Sequence, residues 1–436
     1  YGACCGKGLF LGDMDLRKRL IILFDEYPFE TGEYSFVRTE LKLLAEQFDV
    51  CIISLSPSLE QKMVTDARIR VYHCVRKFGF REKAKAVAGF LLSKAGRGEM
   101  RKIIRERQSI AGRLYDAIVY YGSADQLRKY VKRNHVISGN ELIYSYWFNA
   151  NCLAFLMDKE VYPGLKVVSR IHGYDLYDER NPHNRQPFRE YMDKKVDHIF
   201  FVAKAGMQYY MKHWGDGEKI GRKYTIDPIG TVNDSFSPKK MSVAKGMRFT
   251  VVSCSSTIPL KRVNLIVEGL TLIEDIEIHW IHFGAGSHFC ETEELARKLL
   301  SHKKNISYEM RGFVPVEEIM RFYDSHYVNC FLMTSSTEGC PVSVQEAMSY
   351  GIPIIATAVG EVPNMIEGSG ILLSENPAPK EVQEAVSRLY ATPEREIMQM
   401  RARARSVWEE KYDAKRNAEN FWKRLYDVCD PTFDRA

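Results

Sequence analysis

The sequence predicts an α/β protein made of two Rossmann-like domains, each a parallel sheet covered by helices. Three observations predict it. Strand-length apolar runs alternate with helical periodicity along the 436 residues. Runs such as Leu20–Phe24 and Val328–Met333 are nearly continuously apolar, as expected where both faces of a strand are covered. A polar stretch, Asn233–Lys240, separates two series of such runs, and a chain of this length holds two or three domains.

In the first series, Arg19–Phe24 reads as a strand, followed by the loop Asp25–Glu33. Tyr34–Gln47 then carries Phe36, Leu41, Leu44 and Ala45 at helical spacing. Val50–Leu55 is the second strand, and a basic helical region follows it. Glu141–Tyr146, Lys166–Arg170 and His198–Val202 complete a domain placed at 14–224, with Met14 taken as the start and residues 1–13 as upstream sequence. The second domain, placed at 246–410, has strands at Arg248–Cys254, Glu277–Phe283, Ile306–Met310, Val328–Met333, Pro353–Ala356 and Gly370–Leu373. A last helix, placed at 411–430, carries Ala418, Phe421, Trp422 and Leu425 at helical spacing and is expected to return to the first domain.

At 45% hydrophobic and 27% charged, the composition is that of an ordinary globular protein. No apolar run approaches the roughly 18 residues of a spanning helix. The ten cysteines include no C-x-x-C pair, and Cys51, Cys254 and Cys330 fall in strand-like runs, which suits packed thiols in a reduced, cytoplasmic setting and no metal site. The net charge of +6 is unevenly spread. Residues 76–133 hold 16 Lys and Arg against 5 Asp and Glu, an excess of 11, so the rest of the chain carries 6 − 11 = −5. Phe78, Phe80, Phe90, Leu91 and Leu92 interleave with these cations, which favours an anionic membrane surface over nucleic acid as the partner. A plain solvated helical face accounts for the same charges.

The most informative segment follows the strand ending at Met333. Glu338 falls on the loop at the strand's C-terminal end, and Glu346 about a turn inside the next helix. Gly339 permits the sharp turn, and Pro341 suits the first helical position. The N–H groups of Val342 and Ser343 lie between the two carboxylates. Such a site suits a diphosphate on the helix N-terminus with hydroxyl-bearing sugars on either side. The competing account is that acidic residues near a helix start are favoured by its dipole and need no ligand.

Glu338–Glu346, followed by Ala347-Met348-Ser349-Tyr350-Gly351-Ile352-Pro353, resembles the donor-site signature of the family 4 glycosyltransferases. The resemblance runs from about Leu20 to the end and is strongest from Val251 to Leu373. It implies the GT-B fold, two Rossmann-like domains facing across a cleft, and a retaining, metal-independent transfer from a nucleotide sugar used as co-substrate, with no other cofactor. It implies that Glu338 contacts the transferred sugar, that Glu346 contacts the ribose, and that Lys261, alone or with Arg262, neutralises the leaving diphosphate. Ser255 or a neighbour stands where the family commonly has an Arg. Gly312-Phe313-Val314 resembles the base-binding loop and Gly284 the glycine turn after the second strand, while Gly360-Glu361 departs from the family's usual glycine pair and glutamate. In the first domain, Gly32-Glu33 resembles the loop that approaches donor phosphate and acceptor. His172, in His172-Gly173-Tyr174-Asp175, resembles the family's histidine loop, with Asp175 beside it. Tyr146 and Trp147 are expected on the acceptor side, or equally in the core. The implied role is surface-polysaccharide assembly on a glycan or polyprenyl-diphosphate-linked acceptor, in the cytoplasm or on the inner membrane face. Two readings compete: a non-catalytic sugar-nucleotide-binding protein, and a nicotinamide-dependent oxidoreductase, against which the first strand–helix turn lacks G-x-G-x-x-G.

Overall fold

Continuous apolar runs become the central strands of two sheets. A computed structural model describes residues 17–30, 32–77, 79–236 and 248–429. The expected start at Met14, Phe78 of the basic segment, the linker residues 237–240 and Asp430 lie outside the described residues. The first sheet contains β1 (Arg19–Phe24), β2 (Asp49–Ser54), β3 (Arg70–His73), β4 (Leu142–Ser145), β5 (Lys166–Ile171), β6 (His198–Phe201) and β7 (Tyr224–Ile226), in the order β3-β2-β1-β4-β5-β6-β7. The second contains β8 (Phe249–Cys254), β9 (Ile278–Phe283), β10 (Ile306–Met310), β11 (Cys330–Met333), β12 (Ile354–Thr357) and β13 (Gly370–Leu373), in the order β10-β9-β8-β11-β12-β13. Every neighbouring pair in the second sheet is parallel, as are the pairs joining β3 to β5 in the first. These are two Rossmann-like α/β domains.

The chain forms two compact units. The first comprises the residues up to Phe200, His213–Thr225 and those from Ala418 on; the second comprises Phe201–Lys212 and Ile226–Asn417. The C-terminal helix Ala414–Cys429 thus returns its larger part to the first unit. There the buried ring of Phe421 lies 5.1 Å from Tyr144 and 4.9 Å from Phe200, with the Arg170 guanidinium 4.1 Å above it. The Tyr426 hydroxyl donates to the Gln47 carbonyl at 2.9 Å. Four helices of this unit matter below: α1 (Tyr34–Gln47), α2 (Phe80–Leu92), α3 (Lys94–Glu106) and α4 (Ile110–Arg133).

In the second unit the pleat sends alternate residues to opposite cores. Val252, Ile281 and Phe283 pack with Val344, Ala347 and Met348 on one face. Val251, Ile278 and Trp280 pack with Ile266, Leu270 and Val382 on the other. In each sheet the strand order reverses beside the first strand, between β1 and β4 and between β8 and β11. Loops leaving the C-terminal ends of those strands diverge, and the crevice they leave is where open α/β sheets bind ligands.

Strands β3 and β7 have no counterpart in the sequence reading. They are the two edge strands of the first sheet, short and only partly buried, so they lack the apolar run of a central strand. Pro341 precedes the first helical residue, Val342, instead of occupying that position.

Two strand histidines are buried with the sheets, His198 and His282, and burial pushes both down to about 4. The unfolded chain takes up protons on them below about pH 6.5, where the folded protein does not. Their contribution to stability is therefore full above pH 6.5 and is lost as pH falls toward 4, at a cost on the order of 3 kcal/mol per histidine. Thermal melts at pH 7.5, 5.5 and 4.5 are expected to show a falling midpoint, and His282→Gln is expected to flatten that fall. An unchanged midpoint down to pH 4.5 would contradict it.

Candidate functional site

At the β8/β11 reversal the sequence supplies a short turn after one strand and a glycine loop after the other. The turn Pro259–Lys261 is laced to the β11 loop: the Ser336 N–H donates to the Leu260 carbonyl at 2.8 Å, and the Thr334 hydroxyl to the Arg262 carbonyl at 2.9 Å. Arg262 has a left-handed backbone, φ 48°. Its guanidinium donates to the carbonyls of Thr334 (2.7 Å), Ser335 (2.9 Å) and Glu375 (2.8 Å) and to Asn376 Oδ1 (3.0 Å). The donors that the sequence reading offered to a diphosphate are thus spent on three loop carbonyls and an amide, so Arg262 is a positioning residue.

This lacing brings Lys261 and Glu338 together, with Lys261 Nζ 2.5 Å from Glu338 Oε1 and both side chains partly buried. Glu346 is buried in the helix Val342–Ser349, and both it and Lys261 act electrostatically on the Cys254 thiol at the end of β8. That thiol is pushed up to about 12, chiefly by burial, so it stays protonated. The Val342–Ser349 helix has no side-chain cap at its N-terminus, while Val344, Ala347 and Met348 anchor it in the core. Beside it, Ser335 Oγ, Gln345 Oε1 and Tyr323 OH are buried without a hydrogen-bond partner. A cation, two carboxylates and a bare helix N-terminus on one set of strand ends can receive a phosphate flanked by hydroxyl groups.

The rest of the second unit's site residues form a frame. Gly284, at φ 136°, approaches the Ser255 carbonyl so closely that an added Cβ would lie 1.8 Å from it. Its N–H donates to the Gly312 carbonyl at 2.7 Å, which joins the loops after β9 and β10. Phe313 is 82% exposed and free to stack on a planar ligand, whereas Val314 packs on the core edge. Gly360-Glu361 also belongs here. Gly360 has φ 57°, an added Cβ would lie 2.0 Å from the Glu338 carbonyl, and the Glu361 N–H donates to the Gly339 carbonyl at 3.0 Å. The Glu361 carboxylate is itself held by the Ala205 N–H at 2.8 Å. The departure from the family pattern thus still supports the Glu338-Gly339 turn through the backbone.

In the first unit the β1/β4 reversal gathers the other predicted residues, several in roles different from those expected. Glu33 is buried and accepts the N–H groups of Asp25 (3.1 Å), Glu26 (3.0 Å) and Tyr27 (2.8 Å) and the Trp147 indole N–H (2.5 Å). Asp175 is buried and accepts the N–H groups of Phe148 (2.5 Å) and His172 (2.7 Å). Burial pushes its carboxyl up to about 7, against the pull of Arg189 and those donors. Both carboxylates hold loops. Tyr146 is a core residue, whereas Trp147 is half-buried, and the His172 ring lies 4.7 Å from the first and 4.5 Å from the second. Burial and the nearby Arg170 hold His172 well below its ordinary range, so its imidazole is neutral at pH 7. Gly32 is exposed at the entry to α1, where an added Cβ would meet the Glu26 carboxylate at 2.4 Å. The sequence reading missed Asp25, whose carboxylate takes the side-chain amides of Asn149 (2.9 Å) and Asn151 (2.6 Å) and ties the β1 and β4 loops together. Its position directly after β1 was the available signal.

Gly360→Ala is expected to destabilise the chain by more than the roughly 1–2 kcal/mol of a left-handed alanine, and to speed amide exchange at Glu361. Gly368→Ala is the control. Its φ is 74° and its nearest new neighbour is the Arg403 side chain at 3.5 Å, so it isolates the conformational part. Equal losses in the two variants would show that the contact with Glu338 is unimportant.

Residues 248–392 match the family model described as glycosyl transferases group 1. WcaL of Salmonella typhimurium, a protein named for colanic acid biosynthesis, is 38% identical over 224 residues, 49% of this chain and 52% of that protein. The O-antigen biosynthesis glycosyltransferase WbnH of Escherichia coli is 26% identical over 251 residues, 57% of this chain and 66% of that one. The chain spans about half the length of the WcaL relatives it matches. Among solved structures, sucrose-phosphate synthase from Thermosynechococcus elongatus superposes with a TM-score of 0.68 at 13% identity, covering 94% of this chain and all of that one. Anabaena HepE in complex with UDP and glucose superposes with a TM-score of 0.64 at 13% identity, with the same coverage. These likenesses identify the two-sheet architecture as the GT-B fold. The match to the group 1 glycosyl transferases falls within the second unit of this chain, the unit that holds the paired Lys261 and Glu338.

Proposed function

We propose that the chain is a retaining glycosyltransferase that moves a sugar from a UDP- or GDP-sugar to a glycan or polyprenyl-diphosphate-linked acceptor in surface-polysaccharide assembly. The observation that carries this reading is the Lys261–Glu338 pair at the β8/β11 reversal, beside an uncapped helix N-terminus and inside the segment that matches the family model. The names of the relatives support the polysaccharide setting, and the UDP held by HepE supports a nucleoside diphosphate donor. In this reading the nucleotide sugar is the only co-substrate and no metal takes part. The protein works in the cytoplasm or on the inner face of the membrane, with residues 76–133 toward an anionic surface.

The site residues divide the chemistry. The Lys261 ammonium and the N–H groups of Val342 and Ser343 stabilise the charge that builds on the departing diphosphate. Glu338 accepts from hydroxyls of the transferred sugar, Glu346 from those of the ribose, and Phe313 stacks on the base. The bond from the anomeric carbon to the diphosphate oxygen breaks as the acceptor oxygen attacks the same face, and the acceptor proton passes to the leaving phosphate. In the first unit, neutral His172 can hydrogen-bond a hydroxyl group of a ligand.

Lys261→Ala and Glu338→Ala are each expected to lower sugar-nucleotide turnover by about 100-fold or more, measured as nucleoside diphosphate released from a donor panel. Arg262→Lys is expected to lower both stability and turnover, because an ammonium cannot reach three carbonyls at once. Near wild-type turnover in both alanine variants would sink the assignment. Product NMR tests retention, and turnover in EDTA tests metal independence.

A further inference from the structure

The helices α2 and α3 carry outward faces that the proposed transfer chemistry does not use. On α2, Phe80, Ala84, Val87 and Leu91 recur at i, i+4, i+7 and i+11, so they share one face, and all are exposed. Phe80 is 88% exposed and Leu92, at the helix end, 76%. The opposite face is the buried one. Phe90 packs 6.0 Å from Tyr121 and 6.1 Å from Phe188, and Ala86 lies against Gly122, where an added Cβ would be 2.7 Å away. Of the apolar residues that the sequence reading grouped as membrane-facing, Phe90 therefore belongs to the core, whereas Phe80, Leu91 and Leu92 face outward.

On α3, Lys94, Arg97, Arg101 and Arg105 recur at i, i+3, i+7 and i+11 and are all exposed, opposite buried Ala95, Glu99 and Ile103. Arg97 donates to the carbonyls of Leu91 and Leu92, which brings the cationic face up to the end of the apolar one. Each carboxylate of α2 and α3 is turned inward or paired. Glu99 takes Arg185 at 2.5 Å, Glu106 is shared by Arg113 (2.8 Å) and Arg185 (3.1 Å), and half-buried Glu82 lies 4.0 Å from Lys85. An ordinary solvated helix face mixes both signs and carries no apolar stripe.

We propose that α2 and α3 form a docking element for an anionic lipid bilayer. The α2 stripe enters the upper acyl region, and the α3 cations bind lipid phosphates. An apolar stripe joined end to end with a cationic one matches the layering of a bilayer interface, and the exposed charge is complementary to anionic headgroups. This deepens the lipid-linked acceptor of the proposed function and rests on that part of it.

The test is co-sedimentation of the full chain with vesicles of phosphatidylcholine alone and of phosphatidylcholine mixed with phosphatidylglycerol, at low and high salt. Binding is expected only to the mixed vesicles, and weaker at high salt. Arg101→Ala and Arg105→Ala are each expected to weaken it about fivefold. The double variant Phe80→Ser/Leu91→Ser is expected to weaken it at both salt concentrations while melting at the wild-type temperature, because these side chains are exposed. Equal vesicle binding by wild type and all variants would overturn the proposal. So would a dimer in sedimentation velocity that the double variant dissociates while vesicle binding is unchanged, which would give the stripe to a second copy of the chain. Vesicle binding needs no donor, so a chain that binds mixed vesicles but releases no nucleoside diphosphate would refute the transferase reading alone.

Discussion

Loops that leave the ends of parallel strands expose carbonyls with no ladder partner, and in the second unit one guanidinium collects them. Arg262 donates to the carbonyls of Thr334, Ser335 and Glu375, binding the turn after β8 to the loops after β11 and β13. Its planar fork suits that task because several donors are fixed in one plane. The residue before it, Lys261, is thereby aimed at Glu338. Gly360 completes the support from behind, since only a residue without Cβ can lie so close to the Glu338 carbonyl. The Lys261–Glu338 pair thus depends on a clamp and a close approach.

The first unit repeats this logic with carboxylates. Glu33 and Asp175 are strand-end acidic residues of the type expected at a ligand, yet each is buried and engaged by backbone N–H groups. A buried carboxylate is tolerable when donors surround it, and removing one leaves those donors unsatisfied. What they hold in place is a half-exposed indole and a neutral imidazole, Trp147 and His172. Glu40 and Arg170 do the same one layer deeper, as a buried ion pair at 2.7 Å with the guanidinium over Phe421.

Much of this was legible in the sequence. All six strands of the second sheet fall within two residues of the positions read from apolar runs; the four inner ones are apolar because both their faces are covered, and the edge strands β10 and β13 still carry apolar residues such as Ile306, Ile371 and Leu373. The edge strands β3 and β7 escaped because they are only four and three residues long and neither carries an unbroken apolar run. Glu338, Glu346 and Lys261 were legible through spacing and family likeness. Arg262 beside them, and Glu33 and Asp175 in the first unit, were named from their strand-end positions, and the structure engages each of them with backbone groups. A strand-end polar residue has the same identity whether it faces a ligand or a loop carbonyl.

The sequence by itself determined the element types, the two-sheet α/β architecture and the residue types available at the strand ends. These follow from local periodicity and from glycine and proline chemistry, which need no knowledge of neighbours. Only the tertiary structure decided which polar groups are spent on the backbone and which are left for chemistry. It also decided that Phe90 is core while Leu91, one residue on, faces outward. Those outcomes depend on contacts between residues far apart in the chain: 77 positions separate Lys261 from Glu338, and 114 separate Glu33 from Trp147. Hydrogen bonds over such separations are set by packing, which no local pattern records.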